Sequence, residues 1–176
     1  KVSVDFVADS PLRIKFLKIG HKFSSSSAPT TPTDGDIDNL ESRTSAITPS
    51  ANIEFLRGSL DVVQRSNQSF TVTVLHAVLQ LADRDCVQDN SLCDVIYYGV
   101  IHTSIRGGGV AFRPGWAGSG VIRNNGQYGR HRHDHEIGHS LGITHAITND
   151  NAICSGPRPS ANPPFEFLET VNGVPG

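Results

Sequence analysis

The chain contains no methionine, a single tryptophan and only three cysteines in 176 residues. Three cysteines are too few for a disulfide scaffold, and no Cys-x-x-Cys pair is present to build a structural zinc knuckle. No apolar run reaches membrane-spanning length, so no transmembrane helix is expected. An excess of basic charge is missing as well. The 15 Lys and Arg stand against 17 Asp and Glu, for a formal net charge of −2 and a pI near 6.5. That balance carries no electrostatic footprint for nucleic acid. No Gly-Lys-Ser/Thr ending follows the glycines, which excludes a phosphate-binding loop. No initiator methionine precedes Lys1, so the chain reads as a processed or excised segment whose targeting information has been removed. What these absences leave is one globular domain over 1–176, long enough to bury a sizeable core.

Against that background stands His135-Glu136-Ile137-Gly138-His139-Ser140-Leu141-Gly142-Ile143-Thr144-His145, the pattern H-E-x-x-H-x-x-G-x-x-H. On a helix, His135 and His139 lie one turn apart on one face, so both imidazoles can bind one metal ion. Glu136 adjoins the first ligand, where a carboxylate can reach a metal-bound water without being a ligand itself. Gly142 lets the chain leave the helix in a left-handed turn, and His145 can swing back as a third ligand. Three neutral nitrogens and one open position make a catalytic zinc site rather than a closed structural one. The competing reading is a polar helix end whose histidines only form hydrogen bonds. The absence of proline from 127–141 suits the helix that the motif needs.

At these eleven residues the chain resembles the metzincin clan of zinc endopeptidases. Tyr97-Tyr98-Gly99-Val100, the glycine-rich stretch 107–120 and the motif helix are similar to secreted, reprolysin-like or mucin-cleaving bacterial members. The wording Gly138-His139-x-Leu141-Gly142 also suits a matrixin, and the family within the clan stays open. The resemblance implies a Zn2+ cofactor on His135, His139 and His145, with Glu136 as general base. It implies a secreted enzyme that hydrolyses peptide bonds of extracellular protein or glycoprotein substrates. The fold expected is α/β: a mixed, twisted sheet with a backing helix and an active-site helix. An upper subdomain would cover 1–142, and a short irregular C-terminal lobe 143–176. Two departures stand out. The clan carries a methionine in a turn beneath the zinc, and this chain has none. Either that turn lies beyond Gly176, or another residue has replaced it. Just before the motif, Arg130-His131-Arg132-His133-Asp134 is charged where a largely apolar buried helix is expected. It reads as a partly exposed first turn, with Asp134 favourable near the positive helix end. His131 and His133 alternate with His135 at a spacing that suits a strand better than one helix face, and they read as solvated.

Elsewhere, periodicity sets out the framework. Val2, Val4 and Phe6, and then Leu12, Ile14 and Phe16, alternate with polar residues as half-buried strands do. Residues 24–33 are rich in Ser, Thr and Pro and read as a long, mobile surface loop. Asp34-Gly35-Asp36-Ile37-Asp38 imitates a calcium loop, but Asn39 and Ser45 stand where Gly and Glu are required. The acidic cluster therefore reads as the start of a short helix over 36–46. Residues 51–57 read as a strand. Phe70, Val74, Val78 and Leu81 recur at helical spacing and predict an amphipathic helix over 70–84, with His76 off its apolar stripe. Residues 95–101 form an apolar, aromatic run suited to the centre of the sheet.

Seven glycines divide 106–126 into turns around short apolar pieces. Residues 110–112 and 119–122 read as edge strands beside the metal helix. There an extended substrate could add as a further strand and the glycines would admit its backbone; a ligand-free surface loop is the equal alternative. Trp116 is either an anchor at a cleft or ordinary packing. Cys86 and Cys93 bracket a short polar loop that a local disulfide would close, and Cys154 is then left over; three reduced thiols are the alternative. Asn67-Gln68-Ser69 is a glycosylation sequon, relevant to a protein secreted by a eukaryote. Two other functional readings remain. One is a weakly active or inactive binding module for glycans or a host protein; the other is one piece of a larger enzyme. The intact Glu136 favours an enzyme, because a structural site needs no carboxylate there.

Overall fold

The computed structural model describes residues 11–22, 28–48, 52–64, 69–112, 115–122 and 132–141. The expected strand at 2–6, His131, Cys154, the first two sequon residues and the lobe 143–176 lie outside these. Among the described residues five strands form one sheet: β1 (Leu12–Lys22), β2 (Ile53–Val63), β3 (Ile96–Ile101), β4 (Gly109–Ala111) and β5 (Ala117–Val121). Their spatial order is β2-β1-β3-β5-β4. The first four positions are joined in parallel, and β4 runs antiparallel to β5 at the border. The described residues also include three helices, α1 (Asp34–Ile47), α2 (Phe70–Gln88) and α3 (Arg132–Ser140), with a 3-10 turn at Asn90–Leu92. The architecture is mixed α/β with a mostly parallel sheet.

The chain order dictates which helix covers which face. The connection β1-α1-β2 steps one way across the sheet, and β2-α2-β3 steps back over β1. Right-handed crossovers in opposite directions place their helices on opposite faces. Accordingly Ile37 and Leu40 of α1 and Ile137 of α3 pack with Ile14, Phe16, Ile96, Tyr98 and Val100. Phe70, Val74, Leu75 and Val78 of α2 pack on the other face with Leu17, Ile19, Tyr97 and Ile101. β3 is buried along its whole length, as its unbroken apolar run requires of a central strand. At Gly99 a Cβ would lie 2.7 Å from Val74 and 2.9 Å from Val78, so glycine is what lets α2 settle onto β3.

Several elements outrun their sequence patterns. β1 continues to Lys22 because its second half is buried on both faces and loses the alternation that marks the first half. β2 continues to Val63 because β1 pairs with it residue for residue up to Lys22. α1 begins at Asp34, not 36, because Thr33 caps it. The Asp36 amide donates to Thr33 Oγ1 at 3.2 Å, while Asp36 Oδ2 accepts from the Thr33 amide at 2.8 Å. The carboxylate that imitated a calcium ligand is engaged in this box. The 119–122 piece, expected at an edge, overlaps β5 inside the sheet between β3 and β4, and β4 is the border strand on that side among the described residues. Thr30, within the expected mobile loop, pairs its backbone with His21. Cys86 and Cys93 are joined, with their Cα atoms 4.5 Å apart. No helix among the described residues is long and apolar enough to cross a membrane.

α2 extends past Arg84 because Asp85 has a structural role. Its Oδ2 accepts from Lys15 Nζ at 2.9 Å and from the Tyr97 hydroxyl at 3.0 Å, tying helix, β1 and β3 together. Burial by itself would raise the Asp85 pKa, but the bonds from Lys15 and Tyr97 and the Lys15 charge outweigh it and lower the pKa. A carboxyl with a lowered folded pKa stabilises the fold above its ordinary value of 3.8, and that contribution fades as pH falls through the folded value. Asp85→Asn is therefore expected to cost about 2 kcal/mol at pH 7. Urea unfolding at pH 7 and pH 3 should show the gap from wild type closing at the lower pH.

Candidate metal centre

α3 spans nine residues and carries the motif's first six, His135 to Ser140. Ile137 is its large apolar anchor, seated among Phe16, Tyr98 and Val100. The helix thereby turns His135 toward solvent and leaves His139 half-buried. The two imidazoles face each other with centroids 4.5 Å apart and planes at 75°. Their Nε2 atoms are 3.1 Å apart, a spacing that suits an N–H···N contact. It also suits two ligands of one ion, because nitrogens at about 2.0–2.1 Å from a tetrahedral zinc lie roughly 3.3 Å from each other. Gly142 and His145 lie outside the described residues. Among the described residues no three His, Cys, Asp or Glu side chains converge on one point. Two of the three expected ligands are thus placed, and they are together.

Glu136 points the other way, into the protein, and is 7% exposed. It lies against the edge strand: a Cβ on Gly109 would come within 2.6 Å of Glu136 Oε1 and 2.9 Å of Arg132 Cγ. Glycine at that point of β4 leaves the room that the carboxylate occupies. The Arg132 guanidinium donates to the Gly107 carbonyl at 3.2 Å, so the start of α3 is laced to the approach of β4. At the other end, the Gly115 amide donates to the Ser140 carbonyl at 3.2 Å. Trp116, next along, is 52% exposed and is no core residue.

No family model, curated protein or solved structure matches this chain.

Burial pushes the Glu136 pKa up to about 7, with the nearby Arg132 charge pulling against it. A bound cation would draw it down again. Tyr98, buried beneath, has its phenol pushed well above the ordinary value, by burial first and then by the Glu136 charge. Tyr98, Arg132 and Gly109 were not singled out at the sequence level as neighbours of Glu136. Arg132 had a signal, since it precedes Glu136 by one helical turn. Tyr98 and Gly109 come from distant strands and had none.

One expectation about the charged approach to the motif is overturned. His133 is not solvated; it is 4% exposed and sits edge-on to Phe16 at 6.4 Å. Its Nε2 lies 3.0 Å from Asp134 Oδ1, and that same oxygen accepts from the Thr44 hydroxyl at 3.0 Å. The segment reads as polar in sequence, yet it is packed against the sheet and α1.

The raised carboxyl has a measurable consequence in the metal-free chain. Between the ordinary value of 4.5 and about 7, the folded state holds a proton that the unfolded state has released. Stability therefore falls as pH rises through that window. In urea unfolding between pH 5 and pH 8, Glu136→Gln should remove this decline, so the variant gains on wild type as pH increases.

Proposed function

We propose that the chain is a zinc-dependent endopeptidase acting on extracellular proteins or glycoproteins. The observation that carries this reading is the approach of the His135 and His139 Nε2 atoms to 3.1 Å on one helical turn, in a motif that sets Glu136 next in sequence to the first. His135, His139 and, from outside the described residues, His145 would hold the ion. When bound, zinc supplies the Lewis acidity that makes water nucleophilic near neutral pH and polarises a carbonyl. Glu136 then accepts the proton of the attacking water and hands it to the leaving amine as the peptide bond breaks. Burial, which favours the protonated carboxyl, and a bound cation, which would favour the charged form, act on Glu136 in opposite directions, as suits a group that must both take and return a proton.

The surroundings of Glu136 support a peptide substrate. β4 borders the sheet directly beside the carboxylate. An extended peptide added along that border presents its backbone to the site without requiring a particular sequence. The Cys86–Cys93 bond suits an oxidising compartment, which supports secretion.

Hydrolysis of an unfolded protein substrate should cease in a chelator and return with added zinc. Glu136→Ala is expected to keep its zinc while turnover drops by about 10²–10⁴-fold; undiminished turnover removes the carboxylate from the mechanism. His145→Ala should lower zinc content measured by elemental analysis, and full stoichiometric zinc in that variant removes the third ligand. Stoichiometric zinc in a wild-type chain that cleaves nothing would favour a binding module.

A further inference from the structure

We propose that Thr44 of α1 is a positioning residue for the metal-binding face of α3, acting through its hydroxyl bond to Asp134. The inference rests on the zinc reading above. At its ends α3 is held by the Arg132 bond to the Gly107 carbonyl and by the Gly115 amide on the Ser140 carbonyl, and neither bond lies at the turn that carries His135. The helix has nine residues, a length at which an isolated helix is marginal in water. Ile137 supplies apolar contact to the sheet, but apolar contact has no preferred direction. Turning the helix by about 20° moves a point at its outer radius by roughly 2 Å. Metal–ligand distances tolerate only about 0.2 Å. A directional restraint on the rotation is therefore needed if the imidazoles are to be ready for an ion.

The Thr44–Asp134 bond supplies one. Thr44 is fully buried on α1, and its hydroxyl donates to Asp134 Oδ1 at 3.0 Å across 90 residues of sequence. Asp134 immediately precedes His135. Its carboxylate oxygen is flanked on the other side by His133 Nε2 at 3.0 Å. The hydrogen bond that holds this oxygen to α1 is the one from Thr44; His133 Nε2 is close to it without a hydrogen bond of its own. The buried residues 133, 137 and 140 line one face of α3 at i, i+4 and i+7. With that face fixed by packing and by the bond to α1, the face carrying His135 and His139 has its direction set.

The test uses the metal-free protein. Zinc affinity is measured by competition with a chromogenic chelator, and stability by urea unfolding in parallel. Thr44→Val keeps the shape and loses the hydroxyl, and is expected to weaken zinc binding about tenfold or more, as loss of an outer-shell partner does. Thr44→Ser restores the donor and should stay within about twofold of wild type. Leu40→Ala, on the buried side of the same helix, should lower the unfolding midpoint while leaving affinity within that same range. Wild-type affinity in Thr44→Val overturns the proposal, as does a Ser variant no better than Val or an equal loss in Leu40→Ala. If Thr44→Val does not fold, Thr44→Ala is read by the same criteria. A wild-type chain that takes up no zinc overturns both the zinc reading and this inference. Normal zinc uptake with an unaffected Thr44 variant overturns this inference alone.

Discussion

The seating of a nine-residue polar helix on an apolar sheet is the constraint from which the candidate site follows. α3 has one large aliphatic anchor, Ile137, and its other buried positions are His133, Glu136, Gly138 and Ser140. Burying polar groups is unfavourable unless each finds a partner. Asp134 bonds to Thr44, the Ser140 hydroxyl bonds back to the Glu136 carbonyl, and Arg132 reaches the Gly107 carbonyl. These contacts come from α1, from the helix itself and from the approach to β4. They orient the helix more narrowly than packing on the sheet would. The exposed direction left to His135 and His139 is the complement of that arrangement.

Glu136 shows what the seating does to chemistry. Its neighbour in sequence, His135, is exposed, while Glu136 is buried against the backbone of β4. Successive residues on a helix diverge by about 100°, so one turn can present a ligand to solvent and a carboxyl to a dry interior. In that interior the charged form loses solvation, and the proton is held more tightly than in water. The Arg132 charge limits the effect without cancelling it. The place of the carboxyl in the fold thereby raises its pKa above the ordinary range.

Much of the framework was legible in the sequence where one face of an element is polar and the other apolar. Phe70, Val74 and Val78 announced α2, and Ile14 and Phe16 announced β1, because burial on one side leaves a period in the sequence. The uninterrupted run 95–101 announced a central strand for the opposite reason, burial on both sides. Legibility ended where pairing or capping took over. The length of β2 is set by its partner β1, and the start of α1 by the Thr33–Asp36 box. The glycine-rich stretch concealed an internal strand, because Ala117-Gly118-Ser119-Gly120-Val121 has little side-chain pattern to read. His133 was misread because its charged neighbours suggested solvent, whereas Phe16 and Asp134 give it a buried place.

By itself the sequence determined the chemical types and their spacing: two histidines one helical turn apart, a carboxyl beside the first, and a glycine and a third histidine following. That information is local, because i to i+4 geometry is a property of any helix. Only the tertiary structure decided that Glu136 faces inward onto Gly109, that His135 faces outward, and that Thr44 meets Asp134. Those facts join residues dozens of positions apart through the crossing of α1, β4 and α3. No local pattern encodes such a crossing, because it arises from the packing of whole elements around a shared sheet.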